Sequence, residues 1–154
     1  MGCGRCVGVC PKDAVTPGLS ESNDILNCKM AEYTLAICKD RPCFHISLIC
    51  DVSPNCDCHP ENDRPIIPNV GMLASFDPVA LDMACADLCN QQPVLSNSVL
   101  AENIDQHKHE HGECDCGHGH DHFYFTHPDT NWRSCIEHAV KIGLGTDQYE
   151  LIEV

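Results

Sequence analysis

Three closely spaced cysteines near the start of the chain constrain its first eleven residues more tightly than any pattern constrains a later segment. The run is Cys3-Gly-Arg-Cys6-Val-Gly-Val-Cys10-Pro11, and small glycines separate the cysteines. Such short spacings wrap the backbone around a bound centre so that several thiolates reach it. The run therefore predicts a cysteine-rich metal-binding loop. The alternatives are a chance grouping of cysteines and a zinc knuckle.

Composition indicates the cellular compartment of the protein and excludes some classes of binding partner. The 154 residues include 14 cysteines, and no secretory signal pattern opens the sequence. This combination predicts a reducing, cytoplasmic location, where cysteines serve as metal ligands or as small core residues. The net charge of −14 disfavours nucleic acid and anionic lipid as partners. No apolar run approaches the length of about 18 residues that a membrane-spanning helix needs.

The proline that follows the third cysteine makes the run similar to the bacterial ferredoxin pattern C-x₂-C-x₂-C-x₃-C-P. Cys3, Cys6 and Cys10 take the second, third and fourth places of that pattern, and the first place would fall before Met1. Residues 1–20 are therefore predicted to be a partial 4Fe–4S motif. We expect the cluster in a longer natural protein, and we expect this chain alone not to hold it stably.

The remaining sequence alternates between helical and extended patterns. The predicted elements are a helix from about 22 to 41, a strand over 44–49, an extended segment over 66–75, a helix that begins at Asp77-Pro78, a last helix around 132–140 and a closing strand over 148–154. Residues 92–106 are predicted to be a linker with at most a short helical turn. Residues 21–154 should thus form a small α/β domain with few strands and about three main helices.

A polar loop after the first predicted strand carries Cys56-Asp-Cys58-His59. Two thiols and an imidazole within four residues can converge on one ion if the loop turns back. Otherwise the cysteines only pack in the loop and the histidine forms surface hydrogen bonds. His45 shares a strand face with Ser47, and it either points toward this loop or is a half-buried histidine with a satisfied hydrogen bond.

A second candidate is the low-complexity tract 107–122, predicted to be a flexible insert. Its potential ligands are His107, His109, His111, Cys114, Cys116, His118, His120 and His122. Imidazole and thiolate favour zinc or nickel, and the interspersed glycines allow chelation but not a preorganised site. We expect reversible metal capture without a contribution to the fold. The alternative is a solvated insert.

Several motifs together resemble the uncharacterised family called domain of unknown function 362. They are Cys3–Pro11, Ser22-Asn-Asp-Ile-Leu26, Ala31-Glu-Tyr-Thr34, Phe44-His-Ile-Ser-Leu48, Asp51-Val-Ser-Pro-Asn-Cys-Asp-Cys-His59, Asp77-Pro-Val-Ala-Leu-Asp82 and Lys141-Ile-Gly-Leu-Gly145. The resemblance covers nearly all of the chain except the tract 107–122. It implies an upstream α/β segment and a two-cluster ferredoxin insert in the same polypeptide. It supplies no substrate or reaction.

Three functions are consistent with these patterns. The leading one is an electron-transfer or redox-accessory iron–sulfur protein, of which this chain is the C-terminal part, acting with a redox partner protein. The second is a metal-binding module that works through the Cys/His loops. The third is part of an enzyme whose active site needs the upstream region. No catalytic triad, phosphate loop or dinucleotide fingerprint supports a specific reaction, so no catalytic residue is predicted.

Overall fold

The computed structural model describes residues 9, 11, 23–56, 61–111 and 121–153, with backbone alone at 110 and 111. Within these ranges the elements are α1 (Asn23–Cys38), β1 (His45–Ile49), β2 (Gly71–Ser75), α2 (Pro78–Gln91), α3 (Val99–His111), α4 (His122–Thr126) and α5 (Arg133–Lys141). The predicted α/β class with few strands is confirmed. The described part holds five helices, of which α4 is a short one.

The two strands pair antiparallel, with His45 opposite Ser75 and Ile49 opposite Gly71. Successive side chains of a strand point to opposite faces of the sheet. On β1, the residues His45, Ser47 and Ile49 are more buried than the two residues between them. The inner face of β1 packs on α2, so the side chains that can form a site lie between this strand and this helix.

Helix α2 is the central element of the fold. It begins where sequence reasoning placed it, because the Asp77 side chain caps the helix by accepting hydrogen bonds from the backbone N–H groups of Val79 and Ala80. Pro78 occupies the first turn, where its missing N–H costs nothing. The second carboxylate oxygen of Asp77 accepts from the backbone N–H of Thr146 at 2.9 Å. The N-terminus of α2 is thereby tied to the segment that follows α5.

Two apolar clusters use opposite ends of α2. One joins Cys89 of α2 to β1, to the 66–67 segment and to α3, through Ile49, Ile66, Ile67, Cys89 and Leu100. The other joins α2 to α1 and α5, through Ala31, Val79, Ile136 and Ala139. Cys85, Cys89 and Cys135 pack in or against these clusters. Of the two roles expected for the cysteines, metal ligand or small core residue, these three have the second.

Two sequence predictions about single elements were wrong. Helix α3 spans Val99–His111, where a linker was expected over 92–106. The buried Ser98 side chain accepts from the backbone N–H of Ala101 and donates to the Leu95 carbonyl, so it acts as an N-cap inside a Pro- and Asn-rich stretch. The described residues of the closing segment 148–154 are not in a strand; Tyr149 instead donates its hydroxyl to Asp87 at 2.7 Å.

The structure also bears on membrane insertion. In the described ranges no helix combines the length and the apolar composition needed to cross a bilayer.

Candidate metal centre

Cys38, Cys43 and His45 bring their ligand atoms together in the turn that joins α1 to β1. Each of the three offers one atom, and these atoms all lie within 4.8 Å of one another. All three residues are half-buried. This group can therefore hold a metal ion, and it is the one group of three or more potential ligands that converges in the described part of the chain.

Local backbone structure creates the convergence. Cys38 is the last residue of α1, and Asp40 follows with a φ of 60°, a left-handed conformation that ends a helix and that Asp tolerates better than most residues. The backbone N–H of Arg41 donates to the Cys38 carbonyl at 3.2 Å. Pro42 then prevents the helix from resuming. The chain turns back within four residues, and Cys43 arrives beside Cys38 just before β1 begins.

The two thiols interact directly with each other. Burial raises the pKa of the Cys38 thiol, and a side-chain hydrogen bond with Cys43 raises it further, whereas the nearby Arg41 guanidinium lowers it. Both thiols are free cysteines rather than a disulfide. Because only thiolate binds an ion well, occupation of this site would displace protons from the two sulfurs.

His45 completes the group from the inner face of β1. Its Nε2 atom is buried and has no hydrogen-bond partner among the described residues. A buried polar atom without a partner is costly, and metal coordination is one way to satisfy it. Burial raises the pKa of the Asp82 carboxyl of α2, and the nearby His45 ring offsets part of that rise.

Beyond His45, a cavity of about 400 Å³ opens between α1, β1, α2 and α5. Its wall includes Ser47, Asp82, Cys85, Cys89 and Cys135. Burial raises the pKa of all three of these thiols, so they are protonated and poorly reactive at neutral pH. Burial raises the pKa of the Cys38 thiol as well, but Cys38 and Cys43 differ from these three in lying beside each other and an imidazole.

The separations suit a tetrahedral ion after a small adjustment of the side chains. Zinc binds sulfur at about 2.3 Å and imidazole nitrogen at about 2.0–2.1 Å, which places neighbouring ligand atoms roughly 3.5–3.8 Å apart. The ligand atoms of Cys38, Cys43 and His45 lie within 4.8 Å of one another, so side-chain rotations that move these atoms by about an ångström would complete the geometry. Two sulfurs and one nitrogen favour zinc over hard cations such as magnesium or calcium.

Most of the sequence-predicted ligands lie outside the described residues. These are Cys3, Cys6, Cys10, Cys58, His59, Cys114, Cys116, His118 and His120, together with the side chain of His111. Cys56 is described and is exposed. His45 is the first residue of β1, whereas the loop that carries Cys56 follows the last residue of that strand. The two ends of β1 are about 13 Å apart. The structure thus groups His45 with Cys38 and Cys43.

The described histidines of the tract differ in their surroundings. His107 and His109 lie on α3, where His109 is exposed and the His107 ring packs edge-on against Phe125 with centroids 5.4 Å apart. His122 is buried at the start of α4, and its Nε2 donates to the Gln92 carbonyl at 2.9 Å. None of these three histidines belongs to a group of three or more converging ligands in the described part of the chain.

Sequence reasoning missed the site although a signal was present. The spacing C-x₄-C-x-H spans only eight residues and crosses a helix end, a proline and a strand start. The first helix was expected to end near residue 41, which leaves Cys38 inside it. His45 was expected either to point toward the Cys56 loop or to be a half-buried histidine with a satisfied hydrogen bond. The signal becomes readable once the helix end is placed at Cys38, because a tight turn must then return the chain beside that residue.

Comparison with known families matches residues 3–87 to the family described as Domain of unknown function (DUF362). Comparison with curated proteins and with solved structures found no match. The matched region is more than half of the chain and includes all three residues of the candidate metal centre. The chain therefore belongs to the DUF362 family.

Proposed function

We propose that this protein is a metal-binding module that holds one thiophilic divalent ion through Cys38, Cys43 and His45, with zinc as the preferred ion. The observation that carries the proposal is the convergence of the three ligand atoms within 4.8 Å. The buried, unpartnered Nε2 of His45 supports it. Softness of the donor set argues for zinc, while nickel and cobalt can occupy the same kind of site.

Three protein ligands leave one position of a tetrahedral ion open. Structural zinc sites are closed by four protein ligands, whereas zinc sites that exchange or activate a small ligand keep a position for it. The half-exposed turn at Cys38 and Cys43 makes that position reachable from solvent. The proposed role is therefore reversible binding of an ion with one exchangeable position rather than a permanently buried structural metal.

Cobalt titration under reducing conditions tests the proposal, because thiolate ligation of cobalt gives charge-transfer bands in the near ultraviolet. We expect wild-type protein to show these bands. Cys38→Ser, Cys43→Ser and His45→Ala should each weaken binding by more than about tenfold, because loss of a direct ligand should exceed the cost of losing a supporting contact.

Cys50→Ser is the matched control, since Cys50 is an exposed thiol next to β1 that does not belong to the group. The spectrum of the Cys38→Ser/Cys43→Ser double variant measures the contribution of all other thiols and is subtracted. Equal bands in the double variant and in wild type would refute the proposal.

Electron transfer through an iron–sulfur cluster is a second candidate function, favoured by the spacing of Cys3, Cys6 and Cys10 before Pro11. These cysteines are different residues from Cys38 and Cys43, so the two functions do not compete for the same ligands. Because this chain alone is not expected to hold the cluster stably, iron and sulfide analysis of an anaerobically prepared longer protein, which also supplies the first place of the pattern, tests this candidate. A preparation of that longer protein without acid-labile sulfide would count against it.

A further inference from the structure

Strand β1 and helix α2 run side by side in a register that places Asp82 opposite His45. Ser47 and Cys85 line the same cavity and are close enough for Ser47 to affect the Cys85 thiol, and Ile49 and Cys89 belong to the same core cluster. Each step along this contact moves two residues on the strand and about four on the helix, as the periods of 2 and 3.6 require. One step back from Ser47 and Cys85 leads to His45 and to the turn of α2 that contains Asp82.

Asp82 is available to act on the imidazole. Its side chain is on the wall of the cavity between α1, β1, α2 and α5, and it is hydrogen-bonded to no other residue in the described ranges. It does not belong to the group whose ligand atoms converge, so it is not counted among the ligands of the ion. His45 is nevertheless close enough to offset part of the rise that burial causes in the pKa of Asp82.

We propose that Asp82 is the positioning residue of the metal centre, which accepts a hydrogen bond from the ring nitrogen of His45 that does not bind the ion. This inference rests on the proposed function. Histidine ligands usually donate their second ring N–H to a carboxylate, carbonyl or water, which fixes the tautomer and makes the coordinating nitrogen more basic. Asp82 has no competing hydrogen bond to a described residue, so a side-chain rotation can bring it onto the ring.

Zinc and cobalt affinities of Asp82→Asn test the role in the full-length chain. Loss of such a carboxylate typically weakens metal binding 10–100-fold, and we expect a change in this range. The cobalt–thiolate bands at saturation should persist, because Cys38 and Cys43 are untouched. Asp82→Glu, which keeps the carboxylate, should restore part of the affinity.

Asp87→Asn is the matched control, because it removes the same charge from the same helix at a residue that contacts Tyr149 instead of His45. A double-mutant cycle with His45→Ala supplies the readout that a general structural effect would not give. If Asp82 acts through the imidazole, Asp82→Asn should change affinity by less than about twofold when His45 is already alanine.

The outcomes separate the two proposals. If Cys38→Ser and His45→Ala leave cobalt binding unchanged, the metal-binding function fails and this inference fails with it. If those variants lose binding while Asp82→Asn matches wild type, only the role of Asp82 is overturned. Equal weakening by Asp82→Asn in the wild-type and His45→Ala backgrounds also overturns it. Should Asp82→Asn fold poorly, Asp82→Ser serves in its place in the same cycle.

Discussion

At the scale of single residues, the Asp77 side chain links two distant parts of the chain through hydrogen bonds that a substitution can test. One carboxylate oxygen caps α2, and the other accepts from the backbone N–H of Thr146, 69 residues further along the chain. The position where a Cβ of residue 145 would lie is already filled by this carboxylate, so glycine is needed there. One side chain therefore fixes both the start of the central helix and the path of the segment after α5.

We expect Asp77→Ala to lower the free energy of unfolding by about 1–2 kcal/mol, because the first turn of α2 loses its cap. Asp77→Asn should cost less, since an amide oxygen can still cap the helix while the bond to Thr146 is lost. Urea denaturation followed by circular dichroism measures both values. Equal stability of Asp77→Ala and wild type would contradict the capping role.

At the scale of elements, the histidine-rich tract divides into parts with different roles. Its first residues continue α3, and its last residue, His122, begins α4. The His122 backbone N–H donates to Asn90, and the ring donates to the Gln92 carbonyl. The end of α2 thus holds α4 in place through a residue that sequence reasoning assigned to metal capture.

We expect His122→Ala to lower the free energy of unfolding by about 1–3 kcal/mol, because it leaves a carbonyl without its donor and empties a buried site. His109→Ala, at an exposed position of α3, should change stability by less than about 0.5 kcal/mol. Chemical denaturation measures the difference. A His122→Ala variant as stable as His109→Ala would show that the ring contributes nothing to the fold.

At the scale of the whole molecule, the sheet has one face on α2 and one face in solvent. The outer face is apolar, with exposed fractions of 59% for Ile46, 68% for Leu48, 68% for Met72 and 80% for Phe76. The rings of Phe44 and Phe76 pack against each other in a tilted arrangement, with their centroids 5.1 Å apart. Soluble domains seldom expose so many large apolar side chains together, so this face is an unusual surface of the described structure.

We expect the double variant Leu48→Thr/Met72→Thr to reduce the fluorescence of the apolar dye anilinonaphthalene sulfonate without loss of stability. The two residues are cross-strand partners on the exposed face, so their substitution removes apolar surface and opens no cavity. Ile49→Thr, at a buried position of the same strand, is the control and should cost about 2 kcal/mol or more. Unchanged dye fluorescence in the double variant would show that the dye binds elsewhere.

Sequence patterns were sufficient where the determining interactions are local. The cap at Asp77 and Pro78 depends on groups within three residues, and the alternation over His45–Ile49 depends on a period of two. The start of α2, the first strand and the α/β class could therefore be predicted. The same reasoning missed α3, because its cap at Ser98 lies among residues that favour loops and because its stability comes from packing of Leu100 in the core.

The sequence by itself determined which residue types could bind a metal, and it determined the family through its motifs. Only the tertiary structure decided which ligands meet. The turn after α1 brings Cys43 back beside Cys38, and the packing of β1 on α2 brings His45 near Asp82. The ring of His122 is instead hydrogen-bonded to the Gln92 carbonyl. Metal coordination depends on the distances between atoms in space, and those distances are set by how helices and strands pack rather than by the order of residues along the chain.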